Sequence, residues 1–128
     1  MPAKLSDKVR AFLEEPRYAV LATLNEDGSI QQTVMWYQLR GDHVMMNTRR
    51  GRVKDRNMLR DRRVSLCVED EYRYVTIAGE ITLIEDQATA QADIKALAVR
   101  YNGPEKGEEQ ARTLFSKQER ITILLPID

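Results

Sequence analysis

One cysteine and one histidine are all that this 128-residue sequence contains of either residue. The lone thiol of Cys67 cannot close an internal disulfide, and no Cys/His cluster has the spacing of a zinc site. Both absences fit a reducing cytoplasm. His43, at the start of a strand, is too little to build a Ser-His-Asp triad on and reads as structural, and Cys67 has no activating base in view. Long apolar runs are missing as well: nothing approaches the roughly 18 consecutive apolar residues of a membrane span. The opening segment, residues 1–10, has scattered charge and no apolar block, so it does not read as a signal peptide. Net charge is absent too, since Lys+Arg and Asp+Glu each number 20. A dedicated nucleic-acid or membrane-surface protein would carry a basic excess, so neither partner is expected. Neither a G-x-G-x-x-G fingerprint nor a P-loop occurs.

What is present is a globular composition, 42% hydrophobic and 31% charged, which separates the chain from disordered sequences. Its length and lack of linkers predict a single domain over residues 1–128. Leu5, Val9, Phe12 and Leu13 have helical spacing, with Ser6 or Asp7 as a cap, and Pro16 ends that helix. Strands are expected at 18–24, 30–39 and 43–47, joined by the turns Asn25–Gly28 and Arg40–Asp42. A loop and short helix fill 48–61. Val64, Leu66 and Val68 then alternate with polar or small residues, and a long strand follows over 72–84, with Gly79 placed where it would bend. An amphipathic helix over 88–101, a second helix over 108–115 and a last strand over 121–125 complete the chain. Hairpin-length turns cannot join parallel strands. The order therefore predicts a mainly β fold with flanking helices, a small six-stranded antiparallel barrel.

The densest local signal is cationic. Between Arg49 and Arg63 stand eight basic residues against Asp55 and Asp61, a local excess of six in a neutral chain. Gly51 permits unusual backbone conformations, and a loop opening a helix turns free N–H groups and the positive dipole end toward an anion. Arg50, Arg52 and Lys54 add charge-assisted hydrogen bonds, and Thr48 a hydroxyl. The same run is equally compatible with a solvated helix face whose arginines pair with Asp55 and Asp61. A second candidate is the strand around Trp36, where alternation puts Gln32, Val34 and Trp36 on one face and Thr33, Met35 and Tyr37 on the other. Trp36 either lines a pocket for a flat ring or anchors the core or a dimer. Tyr72 and Tyr74, on one face of the long strand, either stack on a ligand or pack across a subunit interface. With an anion clamp and aromatic walls but no acid, base or nucleophile in evidence, the pattern suits an enzyme whose cofactor carries the chemistry.

The order of elements, the strand Val20–Leu24 followed by Glu26–Asp27–Gly28, and above all the R-x-K-x-R-N run from Arg52 to Asn57, resemble the flavin/deazaflavin split-barrel proteins. These are relatives of pyridoxamine 5′-phosphate oxidase, and the chain resembles most the compact branch using the deazaflavin coenzyme F420, with FMN as the alternative cofactor. The resemblance implies that Arg52 and Lys54 hold the cofactor phosphate, with Asn47, Thr48 and Arg50 beside them. It implies that Gln32, Thr33, Val34 and Met35 lie along the ring. It also implies a homodimer with the cofactor between subunits and Trp36, Tyr72 and Tyr74 as walls of the substrate pocket. The chain lacks the C-terminal extension and basic substrate motif of true pyridoxamine phosphate oxidases, so that activity is not expected. The implied function is hydride transfer from reduced F420 to a small electron-poor acceptor. A flavin-binding module without turnover and a small nucleic-acid-binding barrel are the competing readings.

Overall fold

A computed structural model describes residues 6–71 and 73–127. The opening helix, α1 (Asp7–Glu14), is capped by the Ser6 hydroxyl, which accepts the Val9 N–H at 3.2 Å; Leu5 lies outside the described residues. Then come β1 (Ala19–Leu24), β2 (Ile30–Met35), β3 (Gln38–Arg40), β4 (His43–Arg49), α2 (Val53–Arg60), β5 (Arg63–Asp70), β6 (Arg73–Glu80) and β7 (Thr82–Ile84). Helices α3 (Gln87–Asn102) and α4 (Pro104–Thr113), a 3₁₀ turn at Phe115–Lys117 and β8 (Arg120–Pro126) finish the chain.

The strands form two four-stranded antiparallel sheets, ordered β2-β1-β5-β6 and β3-β4-β8-β7. This corrects the expected six-stranded barrel. The six runs are present, but two of them break and pass from an edge of one sheet to an edge of the other. The run expected over 30–39 divides at Trp36–Tyr37, and the run expected over 72–84 divides at Ile81. Gly79 is not the bend: it stays inside β6, where an added Cβ would meet Leu125 only at ordinary contact distance. Backbone groups that leave a ladder need other partners. Tyr37 N–H donates to the Tyr101 hydroxyl at 3.1 Å, and the Tyr37 carbonyl accepts Arg100 Nε at 3.0 Å. At the other corner Ile81 N–H donates to the Arg62 carbonyl at 2.9 Å. The C-terminal turn of α3 therefore holds the first corner in place.

Two apolar layers follow from the alternation. Leu21, Val44, Met46, Leu66, Ile123 and Leu125 fill the space between the sheets, while Met45, Ile94, Leu97, Ala98 and Phe115 pack β4 against α3. Helix α4 begins earlier than expected, at Pro104, because proline suits a first helical turn. Phe115 falls in the 3₁₀ turn rather than in that helix. No helix among the described residues is long and apolar enough to cross a membrane.

The α3–α4 hairpin closes on Gly107, where an added Cβ would lie 2.5 Å from Val99 N and 2.6 Å from Val99 Cα. Backbone cannot yield as a flexible side chain does. Gly107→Ala is expected to lower stability by about 1–3 kcal/mol in urea unfolding; an unchanged midpoint would show that the helices are not in this close contact.

Candidate functional site

The chain leaves β4 at Arg49, reverses through Gly51 and enters α2. Gly51 has φ 93°, and nothing stands within 4 Å of a Cβ there, so the backbone conformation, not space, demands glycine. Asp55, wholly buried, ties the loop back: its Oδ2 accepts Gly51 N–H at 2.7 Å, and its Oδ1 lies 3.4 Å from Arg50 Nη1. With that carboxylate committed and no side-chain cap from Arg52, the N–H groups of Arg52, Val53 and Lys54 have no hydrogen-bond partner among the described residues. They face outward at the positive end of α2.

Beside this turn lies an open cavity of about 260 Å³. Part of the lining is apolar: Val34 and Met35 at the end of β2, Trp36 just past it, Ile94 and Leu97 from α3, and Phe115. The rest of the lining is polar and cationic: Arg49 from β4, Arg52 and Lys54 from the loop and α2, and Arg120 from β8, with Asn47 and Thr48. Lys54 is 7% exposed and Arg120 8%. The ion pairs among the described residues engage Arg17, Arg40, Arg50, Arg63 and Arg73, and none of the four cavity cations. Burial, and then the neighbouring Arg52 and Arg49, bring the Arg120 guanidinium down to about 10. Burial foremost, then Arg52 and Arg120, lowers Lys54 as well. Arg120 thus remains charged at neutral pH. Its Nε donates to Asn47 Oδ1 at 3.0 Å, its Nη1 to Gln118 Oε1 at 2.8 Å, and its guanidinium sits 5.0 Å from the Phe115 ring centroid. Arg49 stands directly opposite it in the β4–β8 register, a like-charge pairing that disfavours the ladder by itself. Such a cationic lining can hold a multivalent anion, and the apolar part a flat ring attached to it.

Of the residues singled out in the sequence, Val34, Met35, Trp36, Asn47, Thr48, Arg52 and Lys54 meet at this cavity. Trp36 also stacks on Tyr101, with centroids 5.3 Å apart and rings 9° from parallel, so it packs and lines at once. Gln32 and Thr33 lie farther along β2, off the cavity. Gln32 is on the exposed face, and the inward Thr33 hydroxyl is buried with no partner among the described residues. Arg50 turns to Asp55 and Glu85. Tyr74, 70% exposed on β6, borders a separate cavity of about 300 Å³ with Val9, Phe12 and Arg73. Tyr72 lies outside the described residues. Sequence reasoning missed Arg120, Ile94, Leu97 and Phe115 as lining residues. Ile94 and Leu97 carried only a core-helix pattern, and Arg120 meets Asn47 through a strand pairing 73 residues apart.

The family model described as pyridoxamine 5′-phosphate oxidase matches residues 5–119. No curated protein matches this chain. Among solved structures, an F420 reductase is 27% identical, with 97% of this chain and 96% of that one covered and a TM-score of 0.78. A conserved hypothetical protein from Mycobacterium tuberculosis is 23% identical, covering 98% and 82%, with a TM-score of 0.81. The heme storage protein HutZ from Vibrio cholerae is 15% identical, covering 98% and 92%, at 0.71. The last two likenesses are of fold alone.

A buried cation without a countercharge is a burden on the ligand-free fold. Lys54→Met keeps an unbranched apolar stem and removes that charge, so it should raise the ligand-free stability by about 1 kcal/mol in urea unfolding. A midpoint unchanged or lowered would show that the charge is already compensated.

Proposed function

The chain belongs to the pyridoxamine 5′-phosphate oxidase family, and from that premise we propose that it is a cytoplasmic F420-dependent oxidoreductase. It would act on a small electron-poor acceptor, as a homodimer with the cofactor in the groove between subunits. The carrying observation is that Arg49, Arg52, Lys54 and Arg120, unpaired with any described carboxylate, line one cavity together with apolar residues. The reading also draws on the 27% identity to an F420 reductase over nearly the full length of both chains. Four cations exceed what one phosphate requires, which favours F420, with its further acidic groups, over FMN.

Reduced deazaflavin, when bound, supplies a hydride to the acceptor. The residues of this chain bind and orient. Lys54, Arg52 and the free N–H groups at the start of α2 would take the phosphate, with Asn47 and Thr48 beside it and Arg50 bracing the loop through Asp55. Val34 and Met35 would lie against the ring, with Gln32 and Thr33 continuing along the same strand. The orphaned Thr33 hydroxyl is a donor and acceptor that a ligand or a second chain can satisfy. Trp36, Tyr72 and Tyr74 would bound the acceptor pocket, Tyr74 in the partner's site, since it lies away from the cavity of its own chain.

One chain encloses too little for a tricyclic ring and its tail, because pockets for such ligands reach roughly 300–1,000 Å³ and bury most of the ligand. The outer face of the β2-β1-β5-β6 sheet offers the remainder. Tyr18, Ile30, Val34 and Tyr74 are 61–70% exposed there, around half-buried Val20, Ala22 and Leu24. A second copy seated on this face would cover them.

Titrating the purified protein with F420 and with FMN, followed by fluorescence, tests the cofactor; tighter F420 binding is expected. Lys54→Ala should weaken it by about tenfold or more, the loss of one charge-assisted contact. Tighter FMN binding would move the protein to the flavin branch, and binding of neither would refute the reading. Sedimentation at micromolar concentration is expected to show a dimer. Repeated turnover with F420 and an electron-poor acceptor separates the enzyme from a flavin-binding module without turnover.

A further inference from the structure

Arg120 stands at the inner end of a buried polar chain that starts at the surface with Arg40. Asp93, on α3 and 5% exposed, accepts from Arg40 Nη1 at 2.7 Å through Oδ1 and from the Thr122 hydroxyl at 2.6 Å through Oδ2. Thr122, wholly buried, lies opposite Asn47 in the β4–β8 register. Asn47 Nδ2 donates to the Ala90 carbonyl at 2.9 Å and stands 3.4 Å from the Thr122 oxygen, while Asn47 Oδ1 accepts Arg120 Nε at 3.0 Å.

The polarity of this chain admits one direction. A carboxylate only accepts, so Asp93 takes the single hydroxyl proton of Thr122 and leaves that oxygen as an acceptor toward Asn47. The Ala90 carbonyl is an acceptor too. Asn47 must therefore turn its NH₂ toward both and its oxygen toward Arg120. The flipped amide would set an oxygen against two acceptors and an NH₂ against a guanidinium. With Nε held by Asn47 and Nη1 by Gln118, Nη2 of Arg120 has no partner among the described residues.

We infer that Asp93 and Thr122 are positioning residues of the anion site: through the Asn47 amide they fix the Arg120 guanidinium so that a donor edge stays available to the phosphate of a bound cofactor. This rests on the reading of the cavity as a phosphorylated-cofactor site. Residues that orient a contacting group change affinity for the group it contacts while leaving the rest of the ligand alone.

The test compares each phosphorylated cofactor with the same ring lacking phosphate: FMN against riboflavin, and F420 against its phosphate-free ring fragment. In Thr122→Val, the affinity for the phosphorylated ligand should fall about tenfold, as expected for one misdirected charge-assisted bond. The phosphate-free ring should bind as before, and Thr122→Ser should restore the wild-type ratio. Asp93→Asn, whose amide can donate to Thr122 and so release the hydroxyl proton toward Asn47, should lower the same ratio and provides a second route if the valine variant folds poorly. Equal loss on both ligands, or no loss on either, would overturn the positioning role while leaving the cofactor site intact. Failure of the wild-type protein to bind any phosphorylated ligand would overturn both.

Discussion

A guanidinium taken out of water needs a countercharge or a complete set of acceptors, and Arg120 has neither in full. The Asn47 and Gln118 amide oxygens and the face of Phe115 hold it, and no ion pair among the described residues reaches it. Around it the fold adds Arg49 across the ladder and Arg52 and Lys54 at the head of α2. Their mutual repulsion is the constraint to which the local structure answers. Nearby acids are diverted elsewhere: Asp55 to the Gly51 turn, Asp93 to Arg40 and Thr122. The cavity is thereby left positive. Fields of this kind cost folding stability and are characteristic of sites that receive a charged ligand.

The fold supplies the geometry for this imbalance through two bent strands. At Trp36–Tyr37 the chain changes sheets, and the backbone freed by that step is taken up by Arg100 and Tyr101 of α3. The same helix, one to two turns earlier, contributes Leu97 and Ile94 to the apolar wall. Bending the strand and lining the cavity are thus two tasks of one helix, with Trp36 stacked on Tyr101 between them. Architecture alone does not select the ligand, since a heme storage protein shares this fold. Selection has to come from the charged wall.

Much of this was legible in the amino acids. Alternation placed Val64, Leu66 and Val68 inward, and all three are buried. The basic run after β4 was visible as a local charge excess, and it supplies Arg52 and Lys54 to the cavity. The strand breaks were not legible, because Trp36, Tyr37 and Ile81 are good strand residues and bend only where tertiary partners satisfy their backbone. Gly79 carried the local signal for a bend, yet the break falls two residues later. Arg120 was hidden for a related reason: a single arginine before an apolar strand says nothing until β8 is paired with β4. Arg50, by contrast, was in the right run but faces Asp55 and Glu85, a choice of rotamer that spacing does not encode.

If Arg49, Arg52, Lys54 and Arg120 form an anion site, a multivalent anion must bind there and stabilise the fold. Thermal unfolding followed against inorganic pyrophosphate, with total ionic strength held constant by sodium chloride, measures that most directly. A ligand bound only by the native state stabilises it by about 2.7 kcal/mol at a hundredfold excess over its Kd. The midpoint is therefore predicted to climb steadily with the logarithm of pyrophosphate concentration once past Kd. A midpoint that stays flat as pyrophosphate replaces chloride would contradict the claim.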